Sequence, residues 1–161
     1  MPSYSPVPHK HGQFLKSEIN GILECLAEVL ETSAKLRCRH IGMPAEGPAS
    51  LPLEFSVRYY GQSSIYLNVR TTMELAQLLE ASIQDGAMKP GKREETFKEF
   101  VNAFGGRLTA YLWGSVGGNS SPDIPSLSTP QSWPAREPTA CCAFIVENWP
   151  LEVRLWMGEK K

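Results

Sequence analysis

The sequence has little of several features that would place it in a particular class of protein. Its 161 residues carry 16 basic and 17 acidic side chains, so no excess of positive charge indicates a nucleic-acid or anionic-membrane partner. No apolar run approaches the roughly 20 residues that a membrane-spanning helix requires. The first residues also lack the basic and apolar regions of a signal peptide. We therefore expect a cytoplasmic protein of one domain.

Metal-binding and redox motifs are also missing. The chain has four cysteines but no Cys-x-x-Cys spacing, so the sequence predicts neither a zinc site nor a redox pair. In a cytoplasmic protein the thiols are expected to be reduced and to act as small buried apolar side chains. His9 and His11 belong to a proline-rich segment, residues 1–12, that we expect to be a flexible tail. His40 is more typical of a structural residue, and no metal site is predicted.

Residues 13–161 are expected to form the single domain. Apolar spacing predicts a first helix from Phe14 to about Ser33. A capping box, Thr71-x-x-Glu74, predicts the start of a second helix, whose buried face comprises Met73, Ala76, Leu79 and Ile83. Alternating or apolar runs predict strands at Leu36–Ile41, in the hairpin Leu53–Val69, and at Thr139–Val146 and Leu151–Met157. The alternation predicts strands buried on one face. Residues 114–138, rich in Pro, Ser and Gly, are predicted to form an irregular loop.

The most informative segment is a third helical pattern. Its apolar residues follow one helix face and are Phe97, Phe100, Val101, Phe104, Leu108, Tyr111 and Leu112. Glu99 and Asn102 lie roughly 60° apart on the opposite face. Glu95 and Gly106 fall on that same outward face, whereas Gly105 lies nearer the apolar face and is predicted to be structural. Such a face is either a simple solvated surface or a means of presenting a carboxylate and a carboxamide to another molecule.

The segment Glu99-Phe100-Val101-Asn102-Ala103-Phe104-Gly105-Gly106 resembles the phosphatase motif of the CheC/CheX family of bacterial chemotaxis proteins, Glu-x-x-Asn followed by small residues and glycine. The order of elements over residues 14–158 is also similar to that of CheX. The resemblance implies an α/β (α+β) domain with a mixed or mainly antiparallel sheet of about six strands and about three helices. Some relatives carry a second Glu-x-x-Asn on the first helix. Here Gly21 follows Glu18, so the chain resembles the single-site CheX type.

The resemblance also implies an activity. CheX-type phosphatases accelerate loss of the phosphoryl group from the aspartyl phosphate of a CheY-like response regulator in chemotaxis or two-component signalling. Asn102 would hold the attacking water, because a carboxamide both donates and accepts hydrogen bonds. Glu99 would pair with a lysine of the regulator. Glu95 and Gly106 would contact the partner. The regulator supplies its own Mg²⁺, so this chain is expected to bind no cofactor.

Two departures from the family pattern keep another function open. Family members often carry a serine four residues before the glutamate and a methionine after the asparagine, where this chain has Glu95 and Ala103. The alternative is a non-catalytic CheX-like module that binds a receiver domain or a flagellar-switch component. A third possible function is that of a purely structural dimeric domain. The resemblance further implies a homodimer. Its pairing edge would be Leu36–Ile41 or the closing pair Thr139–Met157, with Trp149 and Trp156 in contact.

Overall fold

The structure is a computed structural model that describes residues 16–42, 51–60, 64–82, 93–113, 121–122, 126–127 and 133–158. Three helices lie in these ranges: α1 (Lys16–Ala34), α2 (Met73–Ser82) and α3 (Arg93–Trp113). The strands are β1 (Cys38–Gly42), β2 (Leu53–Tyr60), β3 (Ser64–Thr71), β4 (Ser121–Pro122), β5 (Ser126–Leu127), β6 (Ala140–Val146) and β7 (Trp149–Met157). The predicted tail, residues 1–12, lies outside the described residues.

The strands form one antiparallel sheet in the order β1-β6-β7-β3-β2-β4, with β5 also paired to β2. This confirms the predicted mixed α+β fold with a mainly antiparallel sheet. The sheet has seven strands in the described residues rather than about six. The additional pairing comes from β4 and β5, two-residue strands inside the connection 114–138 that was predicted to be irregular. They cover an edge of β2 that would otherwise expose unpaired backbone groups.

The closing pair of strands is interior to the sheet, not at its edge. β7 pairs with β6 on one side and with β3 on the other, and β6 pairs in turn with β1. The prediction that Thr139–Met157 offers a dimer edge was therefore wrong. Trp156 is only 2 % exposed, so it is also unavailable for a contact between two copies. Among the described strands, β1 keeps one unpaired side.

The N-cap of the second helix lies one residue later than predicted, and the helix itself begins at Met73. The Thr72 Oγ1 accepts a hydrogen bond from the Leu75 N–H at 3.1 Å, which makes Thr72 the N-cap residue. Thr71 instead ends β3 and donates its hydroxyl to the Pro150 carbonyl at 2.8 Å. The predicted capping box of Thr71 and Glu74 was thus wrong. The buried residues of α2 are Leu75, Ala76 and Leu79, with Met73 partly buried, and the predicted Ile83 lies outside the described residues.

The helices cover one face of the sheet, and α3 contacts both other helices as well as β2 and β3. Three phenylalanines of α3 stack along the sheet, with ring-centroid distances of 5.9 Å from Phe97 to Phe100 and 6.3 Å from Phe100 to Phe104. Phe55 of β2 meets Phe97 edge-on at 5.8 Å. Tyr111, predicted to be on the apolar face, is 48 % exposed, and its ring lies beside Gly21 of α1 instead of over the sheet.

The opposite face of the sheet is also buried, contrary to the prediction of strands buried on one face. Glu54, Arg70 and Glu152 lie in one row across β2, β3 and β7 and form two ion pairs, 3.0 Å and 3.3 Å long. Trp133 covers this row and donates its indole N–H to Glu54 Oε2 at 2.9 Å. Strand alternation identifies which residues share a face. It does not reveal that a segment from the connection will cover that face.

Three of the four cysteines are buried and the fourth, Cys38, is partly buried; all four are free thiols. Burial raises the pKa of Cys142 to about 12 and that of Cys38 to about 11. A raised pKa keeps a thiol protonated and unreactive at neutral pH. This confirms the prediction that the cysteines act mainly as small buried side chains.

Candidate functional site

The residues singled out by the sequence share one solvent-facing strip of α3. Glu95, Glu99, Asn102 and Gly106 are all exposed. At 100° per residue the four positions fall within about 60° of each other on the helix. The structure therefore places every predicted site residue on the same accessible surface.

The Glu99 and Asn102 side chains have no hydrogen bond or ion pair to any residue that the structure describes. They are three residues apart, a spacing that makes side chains neighbours on a helix surface, with about 5–6 Å between their β-carbons. Glu99 offers carboxylate oxygens as acceptors, whereas Asn102 offers both a donor and an acceptor. Together they can bind a cation and a neutral polar molecule such as water at adjacent points.

The backbone that carries these two residues is firmly attached to the core. Phe100 and Val101, which lie between them in sequence, are both fully buried, and so is Phe104. The stacked phenylalanines join this part of α3 to β2. An exposed pair on a well-packed helix has a defined direction, which a pair on a loop would lack.

The two glycines that follow have different surroundings. A β-carbon added at Gly105 would collide with the Tyr59 hydroxyl and lie 2.7 Å from the Tyr59 Cζ, so Gly105 is required by packing. A β-carbon added at Gly106 would meet nothing within 4 Å. Packing within the described chain therefore does not explain the glycine at 106.

Two contacts between α1 and α3 flank the strip, and sequence analysis did not find them. Arg107 forms an ion pair with Glu28 of α1, and both side chains are about half exposed. The Tyr111 ring lies against Gly21, where a β-carbon would collide with it. Both contacts join residues far apart in sequence, and no local pattern marks such partners. At Gly21, the position where a two-site relative would carry its second asparagine, this chain packs an aromatic ring.

Nothing in the described residues suggests a metal centre or a membrane span. They contain no group of three or more His, Cys, Asp or Glu side chains that could hold a metal ion. His40 contacts the Gly42 carbonyl through Nε2 at 3.1 Å and packs beside Phe144 with ring centroids 5.6 Å apart. Of the helices described, none combines the length and apolar character needed to cross a bilayer.

Comparison with known proteins places the fold. No protein-family model and no curated protein matches the sequence. Solved structures do match. A chemotaxis protein CheX from Vibrio vulnificus superimposes with a TM-score of 0.62 at 13 % identity, over 88 % of this chain and 99 % of that chain. The chain has the fold of the CheC/CheX-like chemotaxis proteins.

Two further structures support the same CheC/CheX-like fold. A CheX–CheY–BeF₃–Mg²⁺ complex from Borrelia burgdorferi contains a chain that matches with a TM-score of 0.62 at 14 % identity, over 88 % of this chain and 98 % of that chain. A chemotaxis protein from Desulfovibrio vulgaris Hildenborough gives 0.63 at 13 % identity, over 88 % of this chain and 96 % of that chain. The fold inferred from the Glu-x-x-Asn motif and the order of elements is thus confirmed.

Proposed function

We propose that this chain is a CheX-type phosphatase that accelerates hydrolysis of the aspartyl phosphate on a CheY-like response regulator. The observation that carries the proposal is the exposure of Glu99 and Asn102 on the outward face of a well-packed helix in a CheC/CheX-like fold. A structure of that fold is described as a complex of CheX with CheY. A partner of the CheY kind would also give this chain a cytoplasmic location.

In this proposal Asn102 holds the attacking water. An aspartyl phosphate already has a good leaving group, and the receiver domain supplies Mg²⁺, so the remaining requirement is a water in line with the phosphorus. The carboxamide can accept a hydrogen bond from that water and donate one to it or to a phosphoryl oxygen. Fixing one reactant in line removes orientational entropy from the barrier, which is a large part of catalysis in phosphoryl transfer.

Glu99 aligns the two proteins. Its carboxylate, without a partner among the described residues, is available to a lysine in the receiver's active site. Closure of the interface removes water from this pair and strengthens the attraction. Gly106, one turn further along the strip, leaves room for the receiver to approach the helix backbone, and Glu95 contributes a second negative charge at the other end.

The test is phosphate release from a panel of phosphorylated CheY-like receivers, with and without this protein. The proposal expects a rate that rises with protein concentration for at least one receiver in the presence of Mg²⁺. No acceleration for any receiver would reject it. The measurement uses the full chain, since the described elements run from α1, which begins at Lys16, to β7, which ends at Met157.

Glu95 favours one alternative function. Its carboxylate is exposed within about 40° of Glu99 on the helix surface, where it can repel a phosphoryl group. A non-catalytic CheX-like module that binds a receiver domain or a flagellar-switch component would tolerate that charge. The alternative predicts a measurable affinity for a receiver with no change in its dephosphorylation rate, which the same panel would detect if binding were measured in parallel.

We also propose that the protein is a homodimer. The edge strand β1 is the remaining candidate of the two that the sequence offered, because the closing strands are interior. Two-fold pairing at the edge of the sheet would leave the exposed strip of α3 accessible on both copies.

A further inference from the structure

The buried hydroxyl of Tyr59 lies against the side of α3 that faces the sheet. Tyr59 lies near the end of β2, is 1 % exposed, and its neighbours in the sheet are Ile65 of β3 and Pro122 of β4. Its hydroxyl has no hydrogen-bond partner among the described residues. A buried donor without a partner destabilises a folded protein, and phenylalanine would fill nearly the same space without that penalty. The hydroxyl therefore calls for a functional explanation.

The hydroxyl touches α3 where the helix has no side chain to intervene. A β-carbon at Gly105 would lie 2.7 Å from Cζ and 2.9 Å from Cε2 of Tyr59, and would collide with the hydroxyl itself. The Tyr59 side chain thus lies directly against the helix backbone at Gly105. Pairing on both sides of β2 fixes the Tyr59 backbone, and burial leaves its ring little room to rotate away from α3.

The contact lies three residues, less than one helical turn, after Asn102. Upstream, Phe97 and Phe100 fix α3 to the core. Immediately downstream, the Thr109 hydroxyl donates a hydrogen bond to the Gly106 carbonyl at 3.0 Å. Back-bonding of this kind and paired glycines are both local causes of helix bending. Tyr59 therefore contacts the α3 backbone at a point where the helix can bend.

We infer that Tyr59 is a positioning residue for the Glu99–Asn102 pair. Its hydroxyl holds the α3 backbone at Gly105 away from the sheet, and this determines where Asn102 places its water. The catalytic consequence rests on the function proposed above. In-line attack is sensitive to position, since a misplacement of about 1 Å can cost about 10²-fold in rate. Attraction between Glu99 and a lysine falls off gradually with distance, so the rate is affected more than the affinity.

The experiment compares Tyr59→Phe with Tyr66→Phe. Tyr66 provides the matched control, because the same atom is removed from the opposite face of the sheet, where Tyr66 meets Trp156 at 5.5 Å between ring centroids. Amide resonances of α3 are recorded for both variants. The phenylalanine and tyrosine rings have similar effects on nearby resonances, so altered Glu99 and Asn102 amides report movement of the helix. Steady-state dephosphorylation and receiver affinity are then measured.

For Tyr59→Phe we expect a higher melting temperature and shifted amide resonances of Glu99 and Asn102. We also expect kcat to fall about tenfold or more, with KM nearly unchanged. Tyr66→Phe should leave both amides and kcat as in the wild type. Unchanged Glu99 and Asn102 resonances in Tyr59→Phe would overturn the inference. If the wild type is active, shifted resonances together with a wild-type rate in Tyr59→Phe would overturn it as well. A wild type inactive toward every receiver would reject the proposed function on its own, while the amide comparison still decides whether Tyr59 sets the position of α3.

Discussion

Arg70 of β3 and Glu152 of β7 face each other across the sheet and form an ion pair of 3.3 Å that is almost fully shielded from water. Glu152 also binds Arg154 at 3.0 Å, and Arg70 binds Glu54 at 3.0 Å. Trp133 lies over the group, with the Arg154 guanidinium 4.6 Å from its ring centroid. Each buried charge is therefore compensated by an opposite charge, as burial in a sheet face requires.

Among single substitutions in this charged group, loss of Glu152 should lower the stability of the fold most. Glu152→Ala leaves two arginines near each other without the carboxylate that both contact, and breaking a buried pair in this way typically costs about 3–5 kcal/mol. Urea unfolding would measure the loss. The exposed Glu137→Ala is the control and should change the free energy of unfolding by less than about 0.5 kcal/mol. Equal stability of the two variants would show that the ion pairs of Glu152 contribute nothing to the stability of the fold.

Asn102→Ala should abolish phosphatase activity. Loss of the group that positions the water is expected to lower kcat on the order of 10²-fold or more. Because Asn102 is exposed, the fold should be retained. Receiver affinity should be largely retained as well, because the proposed ion pair of Glu99 is left in place. Phosphate release under single-turnover conditions would give the rate, and circular dichroism would check the fold. Hydrolysis at the wild-type rate would mean that Asn102 does not hold the water.

Glu99 should contribute mainly through its charge. Glu99→Gln removes the charge proposed to meet a lysine and should weaken docking, and Glu99→Lys should weaken it further because like charges then face each other. Receiver binding titrated at several salt concentrations tests this. The wild-type affinity should fall with salt, and that of Glu99→Gln should depend on salt less steeply. The same affinity for all three proteins would place the interface elsewhere.

Gly106→Ala should change the stability of the fold and the affinity for the receiver in opposite directions. A methyl group at this position meets no neighbour within 4 Å, so the variant should gain up to about 1 kcal/mol in stability from its higher helix propensity. If the receiver approaches the helix backbone here, affinity for the receiver should fall although the protein itself becomes more stable. Thermal unfolding and a binding titration on the same samples make the comparison. Unchanged affinity would remove Gly106 from the interface.

The proposed dimer predicts a mass in solution twice the 17.9 kDa of the chain. Light scattering at micromolar concentration measures it directly. A mass near that of one chain for the wild type would exclude the dimer at this concentration.

Local sequence patterns determined most of the secondary structure and the face on which the candidate site lies. The spacing of Phe97, Phe100 and Phe104 assigned the buried side of α3, and this in turn placed Glu99 and Asn102 outward, because helix geometry alone relates these positions. Alternation located the hairpin of β2 and β3 for the same reason. The order of these elements, with the Glu-x-x-Asn motif, was enough to identify the CheC/CheX-like fold.

The tertiary structure decided what covers each surface. Pairing of β7 with β3 put the closing strands inside the sheet, and the Trp133 segment buried the charged row of Glu54, Arg70 and Glu152. Tyr59, a residue of β2, contacts α3 at Gly105 and not at Gly106, so the two adjacent glycines have different roles. Sequence periodicity records the intrinsic geometry of one element, whereas these features depend on which distant segments pack together, and that is set by the free energy of the whole fold.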